Sequence, residues 1–151
     1  MTLPTHLLAG LIIGNLTGNY TVAITGSLVV DLDHIISFYR HGILFNPKKL
    51  LKEVLDEKDP WKDQRNYLHN VFVWMVISII LCSINFSFGI IFSLCYFVHL
   101  IFDALNSVNF YPFYPSKKFL VKGFIKYGTR KELIFDFFLI IILTLLFVNP
   151  R

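Results

Sequence analysis

The chain has 151 residues, 55% of them hydrophobic and 17% aromatic, against only 16% charged. With a mean hydropathy of +0.61, that composition excludes a disordered chain and an ordinary soluble domain, and the length suits a single domain, residues 1–151. The net charge of +4 is carried in patches: thirteen of the fourteen Lys and Arg fall in Arg40–Arg65 and Lys117–Lys131, which excludes the continuous basic face that a nucleic-acid binder needs.

Residues 3–30 carry no formal charge, and only His6 among them titrates near neutrality. The turn-prone run Asn15–Thr21 divides this stretch, so two short helices are favoured over one tilted crossing. No basic segment precedes it, so a cleaved signal peptide is not expected. Gly10, Gly14 and Gly18 recur every four residues, and this bare stripe predicts close helix approach against Ala23 and Gly26. Pro47–Asp59 places apolar residues at 50, 51, 54 and 55, one stripe of an amphipathic helix lying on the membrane surface. Val71–Phe102 contains no Asp, Glu, Lys or Arg. A crossing takes about 20 residues, so this run fits two short helices broken at Ser83–Ser87. Cys82 and Cys95 lie inside it without a metal or redox spacing and read as packing residues. Leu133–Val148 reads as the last span.

The expected architecture is all-α: an integral membrane bundle of about five short transmembrane helices with a cytoplasmic amphipathic helix. Both tight turns are uncharged, and both long loops hold the Lys and Arg. The positive-inside rule therefore puts the loops and the N-terminus in the cytoplasm.

The ionisable residues beside the apolar segments gather at one end of this layout. His6 starts the first helix, Asp31, Asp33 and His34 fall towards the end of the second, His69 starts the third, and His99 and Asp103 fall towards the end of the fourth. His99 and Asp103 are four apart and Asp31 and His34 three apart, so each pair shares a helical face. Imidazole with carboxylate suits Zn, Mn, Fe or Ni better than Mg or Ca. The expected ligands of one or two divalent ions, zinc before manganese or iron, are His6, Asp31, His34, His69, His99 and Asp103. Asp33, off the shared face, is expected to orient a ligand or act as general base. Arg65, four before His69, reads either as an anion-binding group or as an interfacial arginine reaching for headgroups. His41, beside Arg40, reads as a surface residue, and Asp136 is a candidate to face the bundle.

These motifs together resemble the YdjM-like inner-membrane proteins, described as membrane-bound metal-dependent hydrolases. That pattern has an early His, D-[IL]-D-H, H-R-G-x-T-H-S, H-x-x-x-D and Tyr-Pro-Phe. Here they read Thr5-His6, Asp31-Leu32-Asp33-His34, Gln64-Arg65-Asn66-Tyr67-Leu68-His69-Asn70, His99-Leu100-Ile101-Phe102-Asp103 and Tyr111-Pro112-Phe113. The resemblance covers roughly residues 5–136. It departs where Gln64 replaces the first His, Asn66 the Gly, Leu68 the Thr and Asn70 the Ser. The change bears on catalysis more than on metal binding.

The resemblance implies a metal-dependent hydrolase of the cytoplasmic membrane. Membrane embedding suggests an amphiphilic ester or phosphoester as substrate, cleaved by metal-activated water with Asp33 and Arg65 assisting. The alternative is a non-catalytic membrane protein with a structural or partner-binding metal site. A metal or proton transporter ranks last, because the outer halves of the helices offer almost no polar residues.

Overall fold

The computed structural model describes residues 1–55, 61 and 64–149. Every regular element among them is helical: α1 (Leu3–Thr17), α2 (Tyr20–Leu28), a 3-10 turn (Val29–Asp31), α3 (Leu32–Arg40), α4 (Pro47–Leu55), α5 (Val71–Ile84), α6 (Phe86–Leu105) and α7 (Arg130–Val148).

The first apolar stretch folds as a helical hairpin. Gly18 ends α1 with φ 73°, in the left-handed region that glycine adopts without a Cβ clash. Asn19 then starts α2 by accepting a hydrogen bond from the Val22 amide. The bare stripe is used differently from expectation. A Cβ on Gly10 would meet Ser27 and Ile24, and one on Gly14 would meet Tyr20, so α2 does pack on α1. Gly18 meets nothing, however, and Gly26 faces α6, where a Cβ would lie 2.8 Å from the Phe92 carbonyl oxygen. Helix two also does not end at Asp31–His34. It continues through the 3-10 turn into α3, giving one helical run over Tyr20–Arg40 with the D-x-D-H residues at its irregular centre.

The second hairpin turns at Asn85, whose side chain accepts from the Phe88 amide. Gly89 lets the two helices touch, since its Cβ would come 2.3 Å from the Cys82 nitrogen. Helix α6 lies centrally, against α1, α2 and α5. Its buried Phe92, Tyr96 and Leu100 form the main core with Val22, Val30 and Phe110.

Tyr20–Arg40 and Phe86–Leu105 are long and apolar enough to cross a membrane. At 1.5 Å per residue, α1 and α5 are only about 22 and 21 Å long, short of the roughly 30 Å hydrocarbon layer. Helix α7 packs on α1 and is joined to it by polar contacts. Buried Glu132 accepts from the Thr2 and Gly128 amides, each at 2.7 Å, and Asp136 accepts from the Thr5 hydroxyl at 2.7 Å. The amphipathic helix α4 is described as far as Leu55; the rest of the expected stretch, to Asp59, lies outside the described residues.

Candidate metal centre

Four histidines and three carboxylates converge where α1, the centre of the α2–α3 run, the 64–70 segment and the end of α6 meet. His6, Asp33, His69, His99 and Asp103 are buried, while Asp31 and His34 are partly so. Their ligand atoms make three overlapping groups: His6, Asp31 and His99; Asp31, His34 and His69; and His69, His99 and Asp103. Within each group all the atoms lie within 4.8 Å of one another.

The histidines are held from behind. His99 Nδ1 lies 2.6 Å from the Ser27 carbonyl oxygen, so Nδ1 carries the proton and Nε2 presents its lone pair. His69 Nδ1 lies 3.1 Å from Asp33 Oδ2. His34 Nδ1 lies 3.1 Å from Gln64 Oε1, and Gln64 in turn donates to Glu53. In each case the acceptor assigns the tautomer. The freed Nε2 atoms face the centre. His69 Nε2 is 3.0 Å and His99 Nε2 3.5 Å from Asp103 Oδ2, and the two nitrogens are 3.4 Å apart. His99 Nε2 is 3.8 Å and His34 Nε2 3.7 Å from Asp31 Oδ1. His6 stacks on His99 with ring centroids 3.6 Å apart, and its Nε2 lies 3.4 Å from Asp103 Oδ1.

These spacings fit a metal better than a hydrogen-bond network. Ligand atoms around a tetrahedral ion, with bonds of about 2.0–2.1 Å, sit roughly 3.4 Å apart. Among the described residues, buried Asp103 Oδ2 has close nitrogens but no aligned hydrogen bond, and neither ring nitrogen of buried His6 has a hydrogen-bond partner. Leaving such groups unmet costs about 1–3 kcal/mol each, and a shared cation would meet them together. The Met1 ammonium also contacts Asp103. The donor set therefore fits a divalent metal.

Two further residues complete the surroundings. Asp33 lies behind His69, away from the shared face, and its Oδ2 also accepts the Leu68 and His69 amides at 2.7 and 3.2 Å. One carboxylate oxygen thus fixes both the backbone and the ring of His69. Burial works against charge on His69, but the Asp103 and Asp33 carboxylates outweigh it and raise its pKa above the ordinary imidazole value. Arg65 does not reach outward. Its side chain is 10% exposed, Nη2 lies 3.7 Å from Asp103 Oδ1, and Nη1 is buried without a hydrogen-bond partner among the described residues. His41 stays apart, stacked on Trp61.

The order of the motifs and this convergence agree with a match to the description "YdjM inner membrane protein" over residues 1–150. The chain belongs to the YdjM inner membrane protein family. No curated protein and no solved structure matches it. With its two long apolar helices, this YdjM chain is a membrane protein. Gln64, which departs from the YdjM-like pattern, sits behind His34 as a hydrogen-bond acceptor.

The support behind the ligands is not legible in the sequence. Ser27 acts through its backbone carbonyl, which no motif can signal. Gln64 departs from the pattern as a missing histidine, and only its contact with His34 gives it a supporting role. Asp103 and His99 at i, i+4, by contrast, do share a face as expected, 3.5 Å apart.

Proposed function

We propose that this YdjM protein is a metal-dependent hydrolase that cleaves an ester or phosphoester of an amphiphilic substrate. The observation that carries the reading is the common orientation of His34, His69 and His99: each Nδ1 is tied to an outer acceptor and each Nε2 is turned toward Asp31 or Asp103. Side chains held in this way are the usual support of metal ligands.

His6, Asp31, His34, His69, His99 and Asp103 would hold one or two divalent ions, zinc before manganese or iron. Asp31, His69 and His99 each belong to two of the three overlapping groups, which suits two neighbouring ions. A divalent cation supplies Lewis acidity to water and to the scissile group. Asp33 orients His69, and its contacts favour that role over general base. Arg65 has an Nη1 with no hydrogen-bond partner among the described residues, with which to hold an anionic substrate group and to offset the negative charge that develops during cleavage. The bundle would cross the membrane five times and open the site to the cytoplasm, where the positive-inside rule puts both lysine-rich loops.

The test is metal content by mass spectrometry on detergent-purified protein, beside a His99→Ala/Asp103→Ala variant, followed by hydrolysis assays on phosphoesters and lipid esters. One or two ions lost in the variant, with hydrolysis by the loaded wild type, support the reading. Bound metal without any hydrolysis supports the non-catalytic alternative. No metal in either protein after reloading overturns both.

A further inference from the structure

The excursion between α6 and α7 combines exposed aromatic and cationic side chains. Its tip and return arm are irregular in backbone, yet Phe119, Leu120 and Phe124 are 64%, 50% and 68% exposed. Exposed Lys117, Lys118 and Lys122 are interleaved with them. Three exposed apolar side chains in six residues would be a liability in water. Hydrocarbon is no better a setting, because irregular backbone facing lipid leaves amides and carbonyls unmet. The setting that satisfies all three features is the headgroup region. There aromatic rings enter the acyl boundary, backbone groups stay hydrated and lysines meet anionic headgroups.

The excursion is also held against the candidate metal centre from two sides. Within the excursion, Phe110 and Val121 exchange backbone hydrogen bonds at 2.9 Å, and on the α6 side its return arm reaches the end of that helix. Gly123 donates to the Asn106 carbonyl and Ile125 to that of Leu105, just past Asp103. A Cβ on Gly123 would lie 2.0 Å from the Leu105 carbonyl carbon, so only glycine allows this approach. On the His69 side, the Val71 amide donates to the Pro112 carbonyl and the Asn70 side chain to that of Tyr114. Phe113 bridges Phe72 and Phe119, at centroid distances of 5.5 and 5.6 Å.

We propose that the Lys117–Phe124 surface binds the headgroups of anionic phospholipids and seats one such lipid beside the candidate metal centre. That the seated lipid is a substrate rests on the hydrolase reading; its binding does not.

The experiment uses the full chain in nanodiscs of mixed phosphatidylcholine and phosphatidylglycerol, extracted into mild detergent, with retained lipids counted by mass spectrometry. Phosphatidylglycerol should be retained in excess of its bulk share, and the excess should shrink as salt rises. Lys117→Gln/Lys118→Gln/Lys122→Gln should reduce the excess by at least about tenfold, since each lysine near an anionic surface contributes about fivefold. The corresponding Lys→Arg triple should keep it. Metal content should be unchanged in both triples, while His99→Ala should lose metal and keep the lipid excess. This separates failure of the surface from failure of the metal site. No excess in the wild type, a salt-independent excess, or an excess that survives the Lys→Gln triple overturns the proposal. Displacement of the lipid by inorganic phosphate, beyond chloride at matched ionic strength, would assign the lysines to a free phosphate and also overturn it.

Discussion

Asp33 Oδ2 lies 3.1 Å from His69 Nδ1 and also accepts the backbone amides of Leu68 and His69. A single buried oxygen therefore sets the ring tautomer and the path of the chain that carries it. Asp33→Asn keeps the size but weakens the charge-assisted bonds. Metal affinity should fall about 10–100-fold, the usual effect of losing such support. Titration against a competing chelator, with helical content checked by circular dichroism, measures it. Unchanged affinity would remove Asp33 from the site.

The raised pKa of His69 gives metal binding a pH dependence of definite sign. The proton competes with a metal for Nε2, so affinity should decline as pH falls through the raised folded value, at a higher pH than for an ordinary imidazole. For His69 taken alone, the linkage to metal-free stability has the opposite sign: the imidazolium contributes fully below the unfolded value and is lost as pH rises through the folded one. Chelator competition across neutral pH measures the metal affinity, and an affinity that does not decline toward acid would remove His69 from the ligand set.

Gln64 supports His34 and is in turn held by its donation to Glu53. Gln64→Leu removes the acceptor and should weaken metal binding about tenfold or more. Gln64→His, combined with Leu68→Thr, brings the segment closer to the YdjM-like pattern and should retain metal. A gain of hydrolysis in that variant over the wild type would mark the natural chain as a weakened enzyme.

Gly26 links packing to the site, because its neighbour Ser27 supplies the carbonyl that holds His99. A Cβ at Gly26 meets the Phe92 backbone at 2.8 Å, which a side-chain rotation cannot relieve. Gly26→Ala should cost about 1–3 kcal/mol through overpacking and loosen metal binding at the same time. Thermal unfolding with and without added zinc reads both. Gly18→Ala strains a turn but meets no neighbour, so it should leave metal affinity unaltered.

Metal should stabilise the folded chain by mass action. At a free concentration about a hundredfold above Kd, the gain is roughly 2.7 kcal/mol. The wild-type melting temperature should rise with added zinc and fall with chelator. The His99→Ala/Asp103→Ala variant should respond to neither, and an equal response from both proteins would locate the metal elsewhere.

The helical hairpins were legible because their signals are local. Asn19 and Asn85 cap helices through their own side chains, and Gly18 takes a left-handed turn that its sequence context announces. The i, i+4 spacing of His99 and Asp103 was legible for the same reason. The partners of the glycine stripe were not, since whether Gly26 meets α1 or α6 depends on how three helices share one face. Nor was the continuation of helix two through Asp31, because the 3-10 turn at Val29–Asp31 joins α2 to α3 where Val30 packs into the core with α6, a contact between distant segments.

An apolar helical chain whose few titratable residues gather near helix ends follows from composition and periodicity, which are properties of the chain alone. The stacking of His6 on His99 and the position of Asp33 behind His69 come from the packing of the folded chain. That packing also turns Arg65 inward toward Asp103. Those contacts join residues far apart in the chain, and their geometry is set by how the helices pack around α6, a quantity that no local pattern encodes.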